Sequence, residues 1–133
     1  MNFEDMVQMG EVVRVRKDLG EARGLRDMAE SRLQVVEDAK IKSETLAALF
    51  DNLYEGLKSL VISKMAEAGY APKNHKAIIA FARDVLKLES HEVAFFDAMR
   101  VLRNDVVYRG KAVADIGFVE RCKNLLLNWL EKI

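Results

Sequence analysis

Arg103, Asn104 and Tyr108 lie in the run Arg-Asn-Asp-Val-Val-Tyr-Arg-Gly, residues 103 to 110. A guanidinium offers a fixed fork of N–H donors that matches the oxygens of a phosphate or carboxylate. Asparagine adds a neutral polar contact. A tyrosine phenol can donate a hydrogen bond or lie against a flat ligand. Arg100, one helical turn before Arg103, adds a second cation. The set Arg100, Arg103, Asn104 and Tyr108 therefore suits a phosphate-bearing ligand. It suits acid–base catalysis poorly, because a phenol with an ordinary pKa of about 10 is a weak general base near neutrality.

The neighbours of Arg103 make it unusual. Positions three and four residues away hold Met99, Arg100, Val106 and Val107, so no same-helix carboxylate can pair with it. It lies beside an apolar stripe, so its charge needs an anion from another helix, another chain or a ligand. Glu44, Asp51 and Glu55 are the candidates for a plain helix-to-helix bridge. Five residues turn a straight helix through about 500°, which leaves Arg103 and Tyr108 roughly 140° apart. They meet only if the helix ends or distorts near Val107, or if a second copy supplies one of them at a twofold interface. Without such a meeting, Tyr108 reads as a helix-end aromatic with its hydroxyl in water. Asp105 and Arg109, four apart, read as an ordinary helix pair.

The other reactive residue types are few. His75 and His91 each fall at a helix start and read as capping or surface residues. Two histidines make no His-rich metal site, and no metal or cofactor is expected. Cys122 is the single cysteine, so no intramolecular disulfide forms, and its place in an apolar pattern makes it a small core residue.

The elements that must hold these residues read as helices. Residues 2 to 19 form a loose first segment with Asn2 as cap; it either docks on the core or extends from it. Ala22, Leu25, Ala29, Leu33 and Val36 mark a narrow apolar stripe over residues 21 to 39, followed by a break near Lys40 to Lys42. Ser43 and Glu44 look like a new start. Leu46, Leu49, Phe50, Leu53, Leu57, Leu60 and Val61 then repeat at spacings of three and four, the clearest helical period in the chain. Gly69 and Pro72 stop it. Asn74 caps a helix expected over residues 75 to 88, Ser90 one over 91 to 107, and Asp115 the last, lined by Val119, Cys122, Leu126, Trp129 and Leu130. There is no strand alternation and no internal repeat. The expected fold is all-α, an up-and-down bundle of four to five helices, with residues 1–20 as an N-terminal helical extension and 21–133 as the bundle domain.

Composition narrows the function classes. The 133 residues fit one domain, and 50% hydrophobic with 32% charged residues argues against disorder. Twenty-one basic and 21 acidic side chains give zero net charge, which is unlike a general nucleic-acid coat. Residues 73 to 111 hold eight Lys/Arg against five Asp/Glu, a local basic excess. No stretch is apolar enough to span a membrane and no signal peptide is visible, so a cytoplasmic location is expected.

A helical bundle whose late helix ends in Arg-Asn-x-x-x-(His or Tyr) resembles the HEPN domains of bacteria and archaea. The join from Gly69 to Ile79 and the closing Asn128-Trp129-Leu130 are similar to the same family, over roughly residues 21 to 133. The resemblance implies a homodimer in which two copies of the motif come together. It implies either a metal-independent endoribonuclease toxin paired with a nucleotidyltransferase-like antitoxin, or an inactive member that binds a nucleotide or RNA. Arg103 matches the family arginine and Asn104 its polar follower, while Tyr108 stands where active members carry histidine. That departure favours a non-catalytic or weakly active protein that binds a nucleotide, RNA or partner protein. A purely structural helical interaction module is the remaining alternative.

Overall fold

The computed structural model describes residues 1–113 and 115–133. The architecture is the expected all-α bundle, with six helices and one small two-stranded sheet among the described residues. Its elements are α1 (Phe3–Gln8), β1 (Val12–Arg14), α2 (Leu19–Asp38), α3 (Leu46–Ala68), β2 (Tyr70–Pro72), α4 (His75–Asp84), α5 (Ser90–Arg109) and α6 (Ile116–Lys132). A single 3-10 turn, Ser43–Thr45, leads into α3.

Helix α3 is the axis of the molecule. Leu53, Leu57, Leu60 and Val61 are wholly buried, and Gly56 lets neighbouring helices approach closely. A Cβ at Gly56 would stand 2.9 Å from Leu126 of α6 and 3.7 Å from the Ala29 carbonyl of α2. Gly69 ends α3 in the left-handed region at φ 88°, where glycine carries no steric penalty. Helix α6 starts at Asp115, whose side chain accepts from the Phe118 N–H, and it buries Trp129 completely. Trp129 meets Phe96 of α5 edge to face at 5.5 Å. Arg26 of α2 donates to the Leu130 and Ile133 carbonyls, so a cation satisfies the C-terminal end of α6.

Three details depart from the sequence reading. Residues 2 to 19 are not one helix: α1 is short, and after Gly10 the chain runs into β1, which pairs antiparallel with β2 in the register Val12↔Pro72, Val13↔Ala71, Arg14↔Tyr70. Three-residue strands are too short to show alternation, which is why the sequence hid them. Of the two roles left open for residues 1–20, docking is the one realised, because Phe3, Met6 and Val12 belong to the main core. Helix α4 stops at Asp84 rather than near Leu88, and Lys87 turns the chain at φ 56°. Ser90 does not cap α5: the cap position is Glu89 and no side chain closes it. Asn2 and Asn74 cap as expected, through the N–H groups of Asp5 and Ala77. No helix among the described residues is long and apolar enough to cross a membrane.

Candidate functional site where α3, α4 and α5 meet

Asp51, Tyr54, Glu55 and Lys58 recur on α3 at spacings of three and four, so one face of that helix presents them together. This face meets α5. Arg103 reaches across and donates from Nε to Asp51 Oδ1 at 3.1 Å, and its Nη2 lies 3.2 Å from Glu55 Oε1. The guanidinium also lies 5.8 Å from the Tyr54 ring centroid. Its side chain is 23% exposed, so the pairing is neither fully dry nor a free surface contact. Burial works to lower its pKa, but the hydrogen bond it donates to Asp51 and the charges of Glu55 and Asp51 outweigh this and hold it above the ordinary value. The anion that Arg103 required is therefore in the same chain, and it is two of the three acids named from the sequence.

The other motif residues go elsewhere. Helix α5 runs unbroken to Arg109 and ends at Gly110, whose φ is 66°. Tyr108 thus points roughly 140° around the helix from Arg103, makes no hydrogen bond with it, and is 74% exposed. Asn104 is exposed beside it. Arg109 and Lys111 flank Tyr108, and their nearest carboxylate is the shared Asp105, at 3.9 and 3.7 Å. Arg100 turns toward Asp97 at 3.3 Å and belongs to the α4 side of the helix. The four residues proposed as one binding set are therefore split three ways: Arg103 against α3, Arg100 toward α4, and Asn104 with Tyr108 in solvent.

His75 and Tyr54 are the residues the sequence reading missed. His75 is the first residue of α4, yet its ring is turned inward, 6.0 Å from the Tyr54 ring and 5.3 Å from Phe96. Tyr54 Oη lies 3.1 Å from His75 Nδ1. His75 Nε2 is buried with no hydrogen-bond partner among the described residues, and Asp97 Oδ1 is 3.6 Å away. A Tyr54 hydroxyl donating to Nδ1 leaves the imidazole proton on Nε2, aimed toward Asp97. Burial pushes His75 down to about 4, with Arg100 and Lys58 adding to the effect and Asp97 opposing it. Burial likewise pushes Tyr54 up to about 12, assisted by Glu55. Near neutral pH both groups are uncharged, so the pair is a hydrogen-bonded wedge between helices and not a proton shuttle. A histidine directly after an Asn cap carries no sequence signal for this inward turn.

Cys122 is buried, and burial pushes its thiol up to about 12, which leaves it inert at neutral pH. Asn128, in the stretch likened to a closing family helix, donates to Glu92, which Lys132 also contacts at 3.0 Å. This contact ties α5 to α6. Among the described residues no three His, Cys, Asp or Glu side chains gather as metal ligands would. No family model matches the chain, and neither a curated protein nor a solved structure does.

Proposed function

We propose that this chain is a HEPN-like helical protein that binds single-stranded RNA without cutting it, and that it works as a homodimer joined along α5. The reading is supported by the way the motif divides. Arg103 is neutralised by Asp51 and Glu55, so it is a weak phosphate clamp. Tyr108 stands in solvent between Asn104 and the cations Arg109 and Lys111. An exposed aromatic ring with flanking cations is what a flexible strand needs: a base stacks on the ring while the cations meet the adjacent phosphates.

The dimer is supported by the outer face of α5. Ala94, Ala98 and Val101 follow one another at helical spacings along it and are all exposed. The two alanines let a second helix approach closely, and Val101 at 52% exposure gives the stripe an apolar contact. Pairing through this stripe leaves Asn104, Tyr108, Arg109 and Lys111 beyond the end of the seam.

Fluorescence anisotropy with a labelled single strand of about ten nucleotides tests the RNA reading. Tyr108→Ala should weaken binding about fivefold or more, as expected for one lost stack. Equal binding by wild type and Tyr108→Ala would remove the reading. Light scattering at micromolar concentration should give twice the chain mass, and Val101→Glu should give single chains. A wild-type monomer would dispose of the dimer while leaving the RNA measurement to stand alone.

A further inference from the structure

Strand β1 has a second edge. Its first edge pairs with β2, and two bonds extend that ladder past the paired triplets. The Lys73 N–H donates to the Glu11 carbonyl at 3.2 Å, and the Val15 N–H to the Gly69 carbonyl at 2.9 Å. Antiparallel pairing alternates, so Glu11, Val13 and Val15 turn main-chain groups toward β2, and the residues between them turn theirs away. A Cβ on Gly69 would stand 3.1 Å from the Val15 carbonyl oxygen, so that group faces the same way. The Arg14 N–H and C=O and the Arg16 N–H therefore point outward, and no group among the described residues bonds them. The edge is covered at Val12, which is 3% exposed, but Arg14, Val15, Arg16 and Lys17 are all exposed.

The side chains on this edge divide by face. Val13 and Val15, on one face of the ribbon, are 40% and 42% exposed. Arg14 lies on the other face, its guanidinium 5.6 Å from the Tyr70 ring centroid, and Arg16 follows it two residues on. Arg14, Arg16 and Lys17 enter no ion pair among the described residues. The next residue, Asp18, is engaged as the cap of α2 through the Glu21 N–H. An open strand edge is a hazard that charged side chains keep shut. Here the free charges are all of one sign, so they repel a basic strand and attract an acidic one.

We propose that the β1 edge from Arg14 to Lys17 takes an extended acidic peptide of a partner protein as a third, antiparallel strand. The three free main-chain groups hold the strand, and alternate side chains select it. Its acids lie beside Arg14 and Arg16, and its β-branched apolar residues lie beside Val13 and Val15. A second copy of this chain is the wrong occupant, because two β1 edges paired antiparallel set arginine against arginine. A phosphate backbone would meet the cations but leave the Arg14 carbonyl without a donor and the valines without an apolar match. The surface needs neither Tyr108 nor the α5 stripe, so it stands or falls independently of the RNA reading and of the dimer.

The test follows 1H–15N spectra during titration with the end-capped peptide Glu-Val-Glu-Val-Glu. Shifts should centre on Arg14, Arg16 and Lys17. The peptide Lys-Val-Lys-Val-Lys, and one with the glutamates and valines grouped rather than alternating, should each bind at least about tenfold more weakly. N-methylation of the glutamates should abolish binding, because their N–H groups point at the edge. N-methylation of the valines, whose N–H groups point away from it, should leave binding within about threefold. The double change Arg14→Glu with Arg16→Glu should reverse the preference toward the lysine peptide and leave the thermal midpoint near wild type. Tyr108→Ala should leave peptide binding unchanged. Equal losses on methylating either residue type would overturn strand addition. Shifts at Arg14, Arg16 and Lys17 caused by a single strand of about ten nucleotides, and not by the peptide, would give the surface to nucleic acid and overturn the proposal. So would the absence of shifts at millimolar peptide, which would leave the three cations as guards of an edge that nothing uses.

Discussion

The two ends of the Arg103–Tyr108 run face opposite fates on one helix. At Arg103, α5 is pressed against α3: two carboxylates and a tyrosine ring close around the guanidinium. At Tyr108, little more than one turn later, the helix has left the bundle and its side chains meet water. A run of residues that looks like one site in sequence is thus a brace at one end and an open surface at the other. What separates them is the length of α3. Its polar face at Asp51, Tyr54, Glu55 and Lys58 supplies partners only to the middle of α5. Residues beyond that contact remain free to bind something else.

If the middle of α5 is a brace, loosening it should be costly. Phe96 is wholly buried and touches Tyr54, His75 and Trp129. Phe96→Ala should destabilise the protein by about 3–5 kcal/mol, the usual range for an aromatic deleted from a packed core. Urea unfolding measures it. A loss within about 0.5 kcal/mol would mean that α3 and α5 are not held together as described.

Arg103→Ala should cost less, about 2 kcal/mol, between the values for exposed and buried pairs, because Arg103 is partly solvated and Asp51 more so. The sharper observable is coupling. With Asp51→Asn already present, the same change should cost clearly less, since one acid no longer needs a partner. Additive losses in the two backgrounds would contradict the bridge. Loss of RNA binding with unchanged stability would return Arg103 to the list of site residues.

Much of this arrangement was legible in the sequence, for identifiable reasons. The α3 stripe, the Gly69 stop and the Asn2, Asn74 and Asp115 caps are local signals, carried by residues within four positions of each other. The unusual state of Arg103 was visible from its neighbours, and its partners were among three named acids. The choice among those acids was not, because it depends on how α5 slides along α3. His75 was misread because its inward turn is decided by Tyr54 and Phe96, which are 21 residues away in each direction. The strands β1 and β2 were invisible because each is three residues long and their pairing joins segments far apart.

The buried imidazole gives a pH signature. In the unfolded chain His75 titrates near its ordinary 6.5; in the folded protein it titrates near 4. Between those values the unfolded state holds more protons, so acid favours unfolding. The contribution is complete above about 6.5 and is lost as pH falls toward about 4. The charges facing His75 are Lys58 from α3 and Asp97 and Arg100 from α5; two cations and one anion keep the balance against protonation. Glu92 and Asp84, both held below their ordinary values, add a second slope at lower pH. Thermal midpoints measured from pH 7 to pH 4 should fall for wild type, and more gently for His75→Gln. Parallel curves for the two proteins would show that the ring is not buried in its neutral form.

The weakest effect expected is at the open end. On the proposed HEPN-like reading, Tyr108→His places an imidazole where active members of that family carry one, so a site poised for catalysis should gain cleavage. Here it should gain none. Within one chain the residue stands roughly 140° around the helix from Arg103. A second copy cannot repair this, because its own Arg103 is held by its own Asp51 and Glu55 and is no freer to stabilise a phosphate. Stability should also change by less than about 0.5 kcal/mol, since Tyr108 is 74% exposed and contributes little packing. Incubation of Tyr108→His with RNA in the presence of chelator is the measurement. Cleavage well above the wild-type level would mean that Arg103 leaves its carboxylates when RNA binds, and the division of the run into brace and surface would fail.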